Sequence, residues 1–245
     1  MTTIVTGAAH GLGRALARAI HAGGQPVLAV DYDKAALATL PCGTLHLDLT
    51  DDAAPAALAA HGPISCIIHS AGISGTGPFE AIPPHHHARI LALNLEAPMR
   101  ITCALLAAKA MERDGIHAFV GSLSTFTGYP GAVSYAASKD GLASFARSLA
   151  KALPKGQHAA CIFPGPMATD HAARYAPENS AKTVAARQPV EDAARIILKG
   201  LADRRPVIIP GAKATLLARM GQLAPGLTGK ALRKGLYEKL TEPRL

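Results

Sequence analysis

Thr6-Gly7-Ala8-Ala9-His10-Gly11-Leu12-Gly13 lies between a β-rich run at residues 3–6 and an Ala/Leu-rich stretch that reads as a helix over 11–23. A backbone free of side chains at Gly7, Gly11 and Gly13 can turn sharply and approach a pyrophosphate at a helix N-terminus. A second β-rich run at 26–31 completes the first strand-helix-strand unit. Glycine spacing by itself is weak evidence; its place between a strand and a helix gives it weight.

Outward from that unit the same alternation continues. Strands are expected at 43–47, 65–70, 117–122 and 159–163, with a final apolar run at 206–209, and helical stretches separate them. Strands joined through crossover helices lie parallel, and right-handed crossovers put helices on both faces. The expected fold is therefore α/β, a doubly wound parallel sheet (Rossmann fold) of about seven strands. No repeat or low-complexity linker divides the first two hundred residues, so residues 1–245 read as a single domain with 211–245 as a basic C-terminal extension.

Composition agrees. Hydrophobic residues make up 49% of the chain and charged ones 17%, with no Trp and 4% aromatics, so Ala, Leu, Ile and Val must build the core. That suits helices packed on a buried parallel sheet. Cys42, Cys66, Cys103 and Cys161 are far apart with no metal-ligand spacing, and are expected to be buried free thiols of a reducing compartment. No secretory signal fits before the first strand and no uninterrupted apolar stretch looks long enough for a membrane. A cytoplasmic location is the expectation.

Asp31 ends the second expected strand eighteen positions after Gly13, where a carboxylate can accept hydrogen bonds from an adenosine ribose. A 2′-phosphate would meet like charge there, and His10, mostly neutral, supplies no fixed cation, so NAD is expected in preference to NADP. Asp48, in Leu47-Asp48-Leu49, is placed to meet an adenine amino group, or equally to cap a helix or a turn.

Tyr135-Ala136-Ala137-Ser138-Lys139 sets Tyr135 and Lys139 four apart, on one helix face. A phenol ionises near a pKa of about 10, and lowering it by three units takes roughly 4 kcal/mol of favourable interaction with the phenolate. A lysine ammonium and an oxidised nicotinamide ring together can supply that. Ser122 lies thirteen residues earlier at a strand end and can hydrogen-bond a substrate oxygen as its charge develops, with Ser124 as a competitor.

The glycine turn, Ser122, the Tyr135/Lys139 pair and Pro164-Gly165 followed by Thr169, in this order and spacing over residues 2–170, resemble the short-chain dehydrogenase/reductase family. The resemblance implies that Tyr135 is general base or acid, that Lys139 also holds the nicotinamide ribose, and that Ser122 orients the substrate. It implies that Asn94 anchors a water in a proton relay. Gly7, His10, Gly11, Leu12, Gly13, Asp31, Asp48, Leu49, Ala71, Gly72, Pro164, Gly165 and Thr169 are the implied cofactor contacts, with Thr169 on the carboxamide. It also implies a homodimer or homotetramer, joined through helices near 84–111 and 134–153. One departure stands out: His69-Ser70-Ala71-Gly72 occupies the place of the family's usual Asn-Asn-Ala-Gly, which puts local strand stabilisation in question more than catalysis.

His85-His86-His87 invites a metal, but consecutive helical residues point different ways and Pro83-Pro84 marks an exposed helix start, so a solvated face and no metal are expected. The +8 net charge is uneven: residues 211–245 hold seven basic residues against two acidic ones, a net +5. Apolar residues between those cations, broken at Pro225-Gly226, suggest two short amphipathic helices. These would pack over the substrate cleft or a neighbouring subunit, or contact anionic lipid or an acidic carrier. Without interleaved stacking aromatics the excess charge does not suggest nucleic acid.

The reading is hydride transfer between NAD and a secondary alcohol or ketone, tilted toward oxidation by Asp31. Two alternatives remain: a 3-oxoacyl-thioester reductase using NADPH, and a non-catalytic dinucleotide-binding regulatory protein. Residues 170–189, expected to line the substrate pocket, carry no chemistry that names a substrate.

Overall fold

The computed structural model describes residues 1–169, 187–235, 237–240 and 242–245. Seven parallel strands form one sheet in the order β3-β2-β1-β4-β5-β6-β7. They are β1 (Thr2–Thr6), β2 (Val27–Asp31), β3 (Gly43–His46), β4 (Ile64–His69), β5 (Met111–Val120), β6 (His158–Ile162) and β7 (Val207–Ile208). Strand order reverses direction beside β1, whose neighbours are β2 and β4. The crevice at the carboxyl ends of β1 and β4 is the place where ligands bind in sheets wound this way.

Both sheet faces are covered, which explains the near-continuous apolar runs of the inner strands. On one face α1 (Gly11–Ala22) buries Leu12, Ala15, Leu16 and Ile20, and α8 (Val190–Ala202) buries Ala193, Ala194, Ile197 and Leu201, in a common cluster with Val5 and Ile68. Each spacing follows one helix face, and each fully buried Leu or Ile stabilises by about 1.5–3 kcal/mol. On the other face α3 (Ala54–Ala59) and α5 (Ala97–Ala107) cover Ile4, Ile64 and Ile67. There α7 (Val133–Leu149) packs Leu142, Ala143 and Ala146 on Phe119 and Cys161. The short helices α2 (Lys34–Leu37) and α6 (Ser124–Thr127) finish two of the loops.

Five expectations need correction. β5 starts at Met111, six residues before the expected start, because Glu112, Arg113 and Asp114 form a partly solvent-facing beginning that pairs Met111 with Ile64 before the apolar run. β5 ends at Val120, leaving Ser122 two residues beyond the strand, and β3 ends at His46, leaving Asp48 in a turn. Helix α4 (Pro84–Leu91) runs without a break through a π-turn, Ala92–Glu96, into α5. The resulting 24-residue helix is long and apolar enough to cross a membrane by length and composition. Yet Ile90, Asn94, Ala97, Ile101 and Leu105 are buried in the protein, and Arg89, Glu96 and Arg100 interrupt it, so it is a core helix. Lastly, the cysteines are free but not uniformly buried: Cys103 is exposed on α5.

The extension forms the two expected helices, α9 (Ala212–Leu223) and α10 (Pro225–Gly235), with Pro225 opening the second. Past α10 the chain returns to the catalytic side. Thr76 and Arg244 form a short antiparallel bridge, Thr76 N–H donating to Arg244 O at 3.0 Å and Arg244 N–H to Thr76 O at 2.7 Å.

Candidate active site

The glycine turn closes against the end of β4. Gly7 has φ +66°, and a Cβ there would stand 2.6 Å from Ala71 Cα; a Cβ on Gly13 would overlap the Gly7 carbonyl oxygen. The Thr6 hydroxyl accepts the N–H groups of Ser70 and Ala71 at 3.1 and 3.3 Å, locking the two loops together. Gly11, φ +49°, faces Thr169, whose Cγ2 would be 3.2 Å from an added Cβ. The cradle is thus bare backbone at the amino end of α1, floored by Ala71 and overhung by Thr169, and it fits a dinucleotide pyrophosphate.

Asp31 is buried at the end of β2. Its Oδ2 accepts the Ala9 N–H at 3.0 Å and its Oδ1 the Asp33 N–H at 3.1 Å, so it braces the glycine turn whatever else it binds. His10, at the N-cap of α1, meets Asp33 at 2.9 Å. The Asp33 carboxyl, bonded first by the Ala36 N–H and then by His10, is held below the usual carboxylate range. Leu12 and Leu49 bury their side chains in the two core clusters, so only their backbone is available to a cofactor. Asp48 is exposed and accepts both the N–H and the hydroxyl of Thr50, at 2.9 and 2.7 Å, which is the turn role.

At the other end α7 presents Tyr135, Ser138 and Lys139. The Lys139 side chain is 3% exposed, donates from Nζ to Val120 O at 2.9 Å, and lies 5.8 Å from the Tyr135 ring centroid. Burial lowers its pKa to about 8, with nearby Cys161 acting in the opposite sense. Tyr135 is half-buried; burial pushes its phenol up, and its hydrogen bond with Ser122 acts in the opposite direction. Ser122, half-exposed, also accepts the Ser124 N–H at 3.2 Å. The competing Ser124 is buried with no partner for its hydroxyl among the described residues, and Ser122 is the serine that meets the phenol.

Asn94 sits in the π-turn and is wholly buried. Its Oδ1 accepts the Ile73 N–H at 2.9 Å, and its Nδ2 donates to Ile73 O at 2.9 Å and to Ser138 Oγ at 3.0 Å. The widened turn, a feature common at functional sites, aims this amide sideways out of the helix. Gly72 belongs to the same knot: a Cβ there would lie 3.1 Å from Asn94 Oδ1 and 3.3 Å from Lys139 Nζ. Ser138 was not among the sequence candidates. The signal was its place three residues from Tyr135, on the same helix face. Pro164 is buried, and Gly165 abuts α9, where an added Cβ would stand 3.1 Å from Ala214. Most of the expected pocket-lining segment, 170–186, lies outside the described residues.

His69, the departure from the family pattern, is buried and stacks on Phe119 with centroids 4.9 Å apart and planes 4° from parallel. Burial, aided by His117, lowers its pKa to about 3, so it is a neutral core ring. The three consecutive histidines do not form one solvated face. His85 is exposed, but His86 is buried and 2.9 Å from Ser74 O, and His87 bonds Ser134 at 2.7 Å and stacks on Phe79. The extension covers the catalytic side: α9 lies on α6 with Gly221 against the Phe126 carbonyl, and Leu240 packs on Gly131 shortly before Tyr135.

The arrangement pairs a dinucleotide cradle with a phenol whose ionisation a serine hydroxyl favours and that lies near a buried ammonium, a set suited to moving a proton beside a bound redox cofactor. Comparison with known proteins points the same way. A family model described as short chain dehydrogenase matches residues 1–180. The chain is 27% identical to bovine (Bos taurus) dehydrogenase/reductase SDR family member 7B, over 91% of this chain and 78% of the relative. It is 30% identical to the 3-oxoacyl-[acyl-carrier-protein] reductase MabA of Mycobacterium bovis, over 69% of this chain and 70% of that protein. Among solved structures, a short chain dehydrogenase from Burkholderia cenocepacia in complex with NADP superposes with TM-score 0.81 at 22% identity, covering 94% of this chain and 96% of the other. A family member from Burkholderia phymatum in complex with NAD gives 0.76 at 20% identity, covering 89% and 92%. The chain belongs to the short-chain dehydrogenase/reductase family and is an oxidoreductase acting on CH–OH groups with NAD(P).

Proposed function

We propose that this protein interconverts a secondary alcohol and a ketone using NAD, with Tyr135 as the proton-transfer group. The observation that carries the reading is the buried Lys139, its Nζ 5.8 Å from the Tyr135 ring centroid, with the Ser122 hydroxyl acting to lower the phenol pKa. When bound, the nicotinamide ring supplies the hydride acceptor or donor. The chain's own residues manage the proton. In oxidation the substrate hydroxyl proton passes to Tyr135 Oη; in reduction Oη returns it to the forming alkoxide. Ser122 Oγ holds that substrate oxygen in line with the phenol. Lys139, protonated below a pKa of about 8, favours the phenolate by its charge and also holds the nicotinamide ribose. Asn94 fixes Ile73 and Ser138, and so the wall and helix that carry these groups, and anchors a water in the relay.

Gly7, Gly11 and Gly13 would hold the pyrophosphate, and Thr169, above Gly11, the carboxamide end. Asp31 supports NAD over NADP because its buried carboxylate would oppose a 2′-phosphate. The tilt toward oxidation follows from NAD. The protein would work in the cytoplasm as a homodimer or homotetramer, the exposed Leu91 and Met99 on either side of the π-turn supplying apolar surface for the contact. A second reading, reduction of a 3-oxoacyl thioester with NADPH, is favoured by the similarity to an acyl-carrier-protein reductase.

Secondary alcohols and 3-oxoacyl thioesters assayed with each cofactor separate these two, and Tyr135→Phe tests the chemistry common to both. Turnover should fall by at least ~10²-fold while NAD binding stays within a few-fold. Unchanged turnover in the variant, or absence of any turnover in the wild type despite tight NAD binding, would favour a regulatory dinucleotide-binding protein.

A further inference from the structure

Helix α9 is apolar on two opposite faces. Its inner face, with Ala214, Leu217, Ala218 and Gly221, packs on α6 and the core around Phe126 and Phe163. Its outer face carries Leu216, Met220 and Leu223, spaced four and three apart and therefore one ridge, at 60%, 50% and 86% exposure. Leu227 on α10, just past the Pro225 break, is a further exposed apolar side chain at 72%. At 100° per residue Lys213 and Arg219 fall on the two flanks of the ridge, and Lys230 and Lys234 follow Leu227 by three and seven residues. All four cations are exposed and have no ion pair among the described residues, whereas Arg233 meets Glu238 at 3.7 Å. Contiguous exposed apolar side chains of this kind mark an interaction surface.

We propose that the outer face of α9 and α10 docks on an anionic phospholipid surface, the apolar ridge entering the acyl boundary and the flanking lysines and arginine meeting the headgroups. The ridge is convex and one helix wide, the shape of an interfacial helix and not of a groove for a peptide. Self-association fits poorly, since a two-fold contact through the ridge would bring its own cation rows together. The charge complements an anionic leaflet, and each such cation strengthens attachment about fivefold. Because Ala214 on the inner face abuts Gly165, docking sets the catalytic side of the molecule next to the bilayer.

The test is co-sedimentation of the full chain with vesicles of phosphatidylserine and phosphatidylcholine, against phosphatidylcholine alone, at low and high salt. Wild type should pellet with the anionic vesicles only, and less so at high salt. Leu216→Ser/Met220→Ser/Leu223→Ser should remove binding, and Lys213→Gln/Arg219→Gln should weaken it roughly 25-fold. The charge variant leaves the ridge intact and guards against misfolding of the first, and both should keep the wild-type thermal midpoint within a few degrees. Absence of pelleting at low salt, pelleting indifferent to both variants, or a smaller oligomer in the ridge variant would overturn the proposal, the last by making the ridge a subunit interface. Binding to an acidic carrier protein without any binding to vesicles would also overturn it.

Discussion

His69 should make the fold acid-sensitive, and Asn, the residue family members usually carry at this position, should relieve it. The ring is fully buried on Phe119, its Nε2 is 3.5 Å from Thr102 Oγ1, and its Nδ1 has no partner among the described residues. Its pKa is lowered to about 3, against about 6.5 for an unfolded chain. Between these values the unfolded state holds the extra proton, so stability falls as pH drops through about 6.5 and continues falling toward 3. From about pH 7.5 to about pH 5 the linkage amounts to ~2 kcal/mol for this one residue. Urea unfolding of wild type and His69→Asn at both pH values reads it directly. The variant's baseline differs because the Phe119 stack is altered, so the quantity to compare is each protein's own change with pH. Wild type should lose ~2 kcal/mol more than the variant, about 1 M urea at an m-value near 2 kcal/mol/M. His117, whose pKa burial also lowers, titrates in both proteins and leaves the difference nearly intact. Equal pH dependence in the two proteins would refute the assignment of a neutral, trapped ring.

Gly13→Ala places a methyl on the Gly7 carbonyl and should abolish detectable NAD binding and lower stability by about 1–3 kcal/mol, measured by calorimetry and thermal unfolding. Asn94→Ala leaves both backbone groups of Ile73 without their partner. A stability loss of ~2–4 kcal/mol and a reduced kcat are expected, and full stability in the variant would count against the knot. Asp31→Asn keeps the shape that braces Ala9 but removes the charge; the NADP-to-NAD ratio of kcat/KM should rise at least ~10-fold, and an unchanged ratio would remove Asp31 from cofactor choice.

Much of this protein is local and was therefore legible. The glycine turn between strand and helix, the order of strands and crossovers, the break at Pro225, and the Tyr135/Lys139 spacing all follow from backbone geometry and periodicity over a few residues. The errors fall where partners are distant. Polar Glu112 to Asp114 hid the first half of β5 because its pairing with β4 is not written in its own pattern. Asp48 is a local case instead: its partner Thr50 is two residues away, and those bonds fill the turn role that the sequence left open beside adenine.

By its sequence alone the chain determined a parallel, doubly wound sheet with a dinucleotide turn and a paired phenol and ammonium, since hydrogen bonding along helices and alternation along strands act at short range. Tertiary structure decided the rest. It set a π-turn in the α4–α5 helix where Asn94 reaches Ser138 across 44 residues, drew Asp31 onto the Ala9 amide, and buried His69 without charge. It also chose which apolar face of α9 faces the core and which stays in water, because burial is set by what packs opposite and no single segment contains that information.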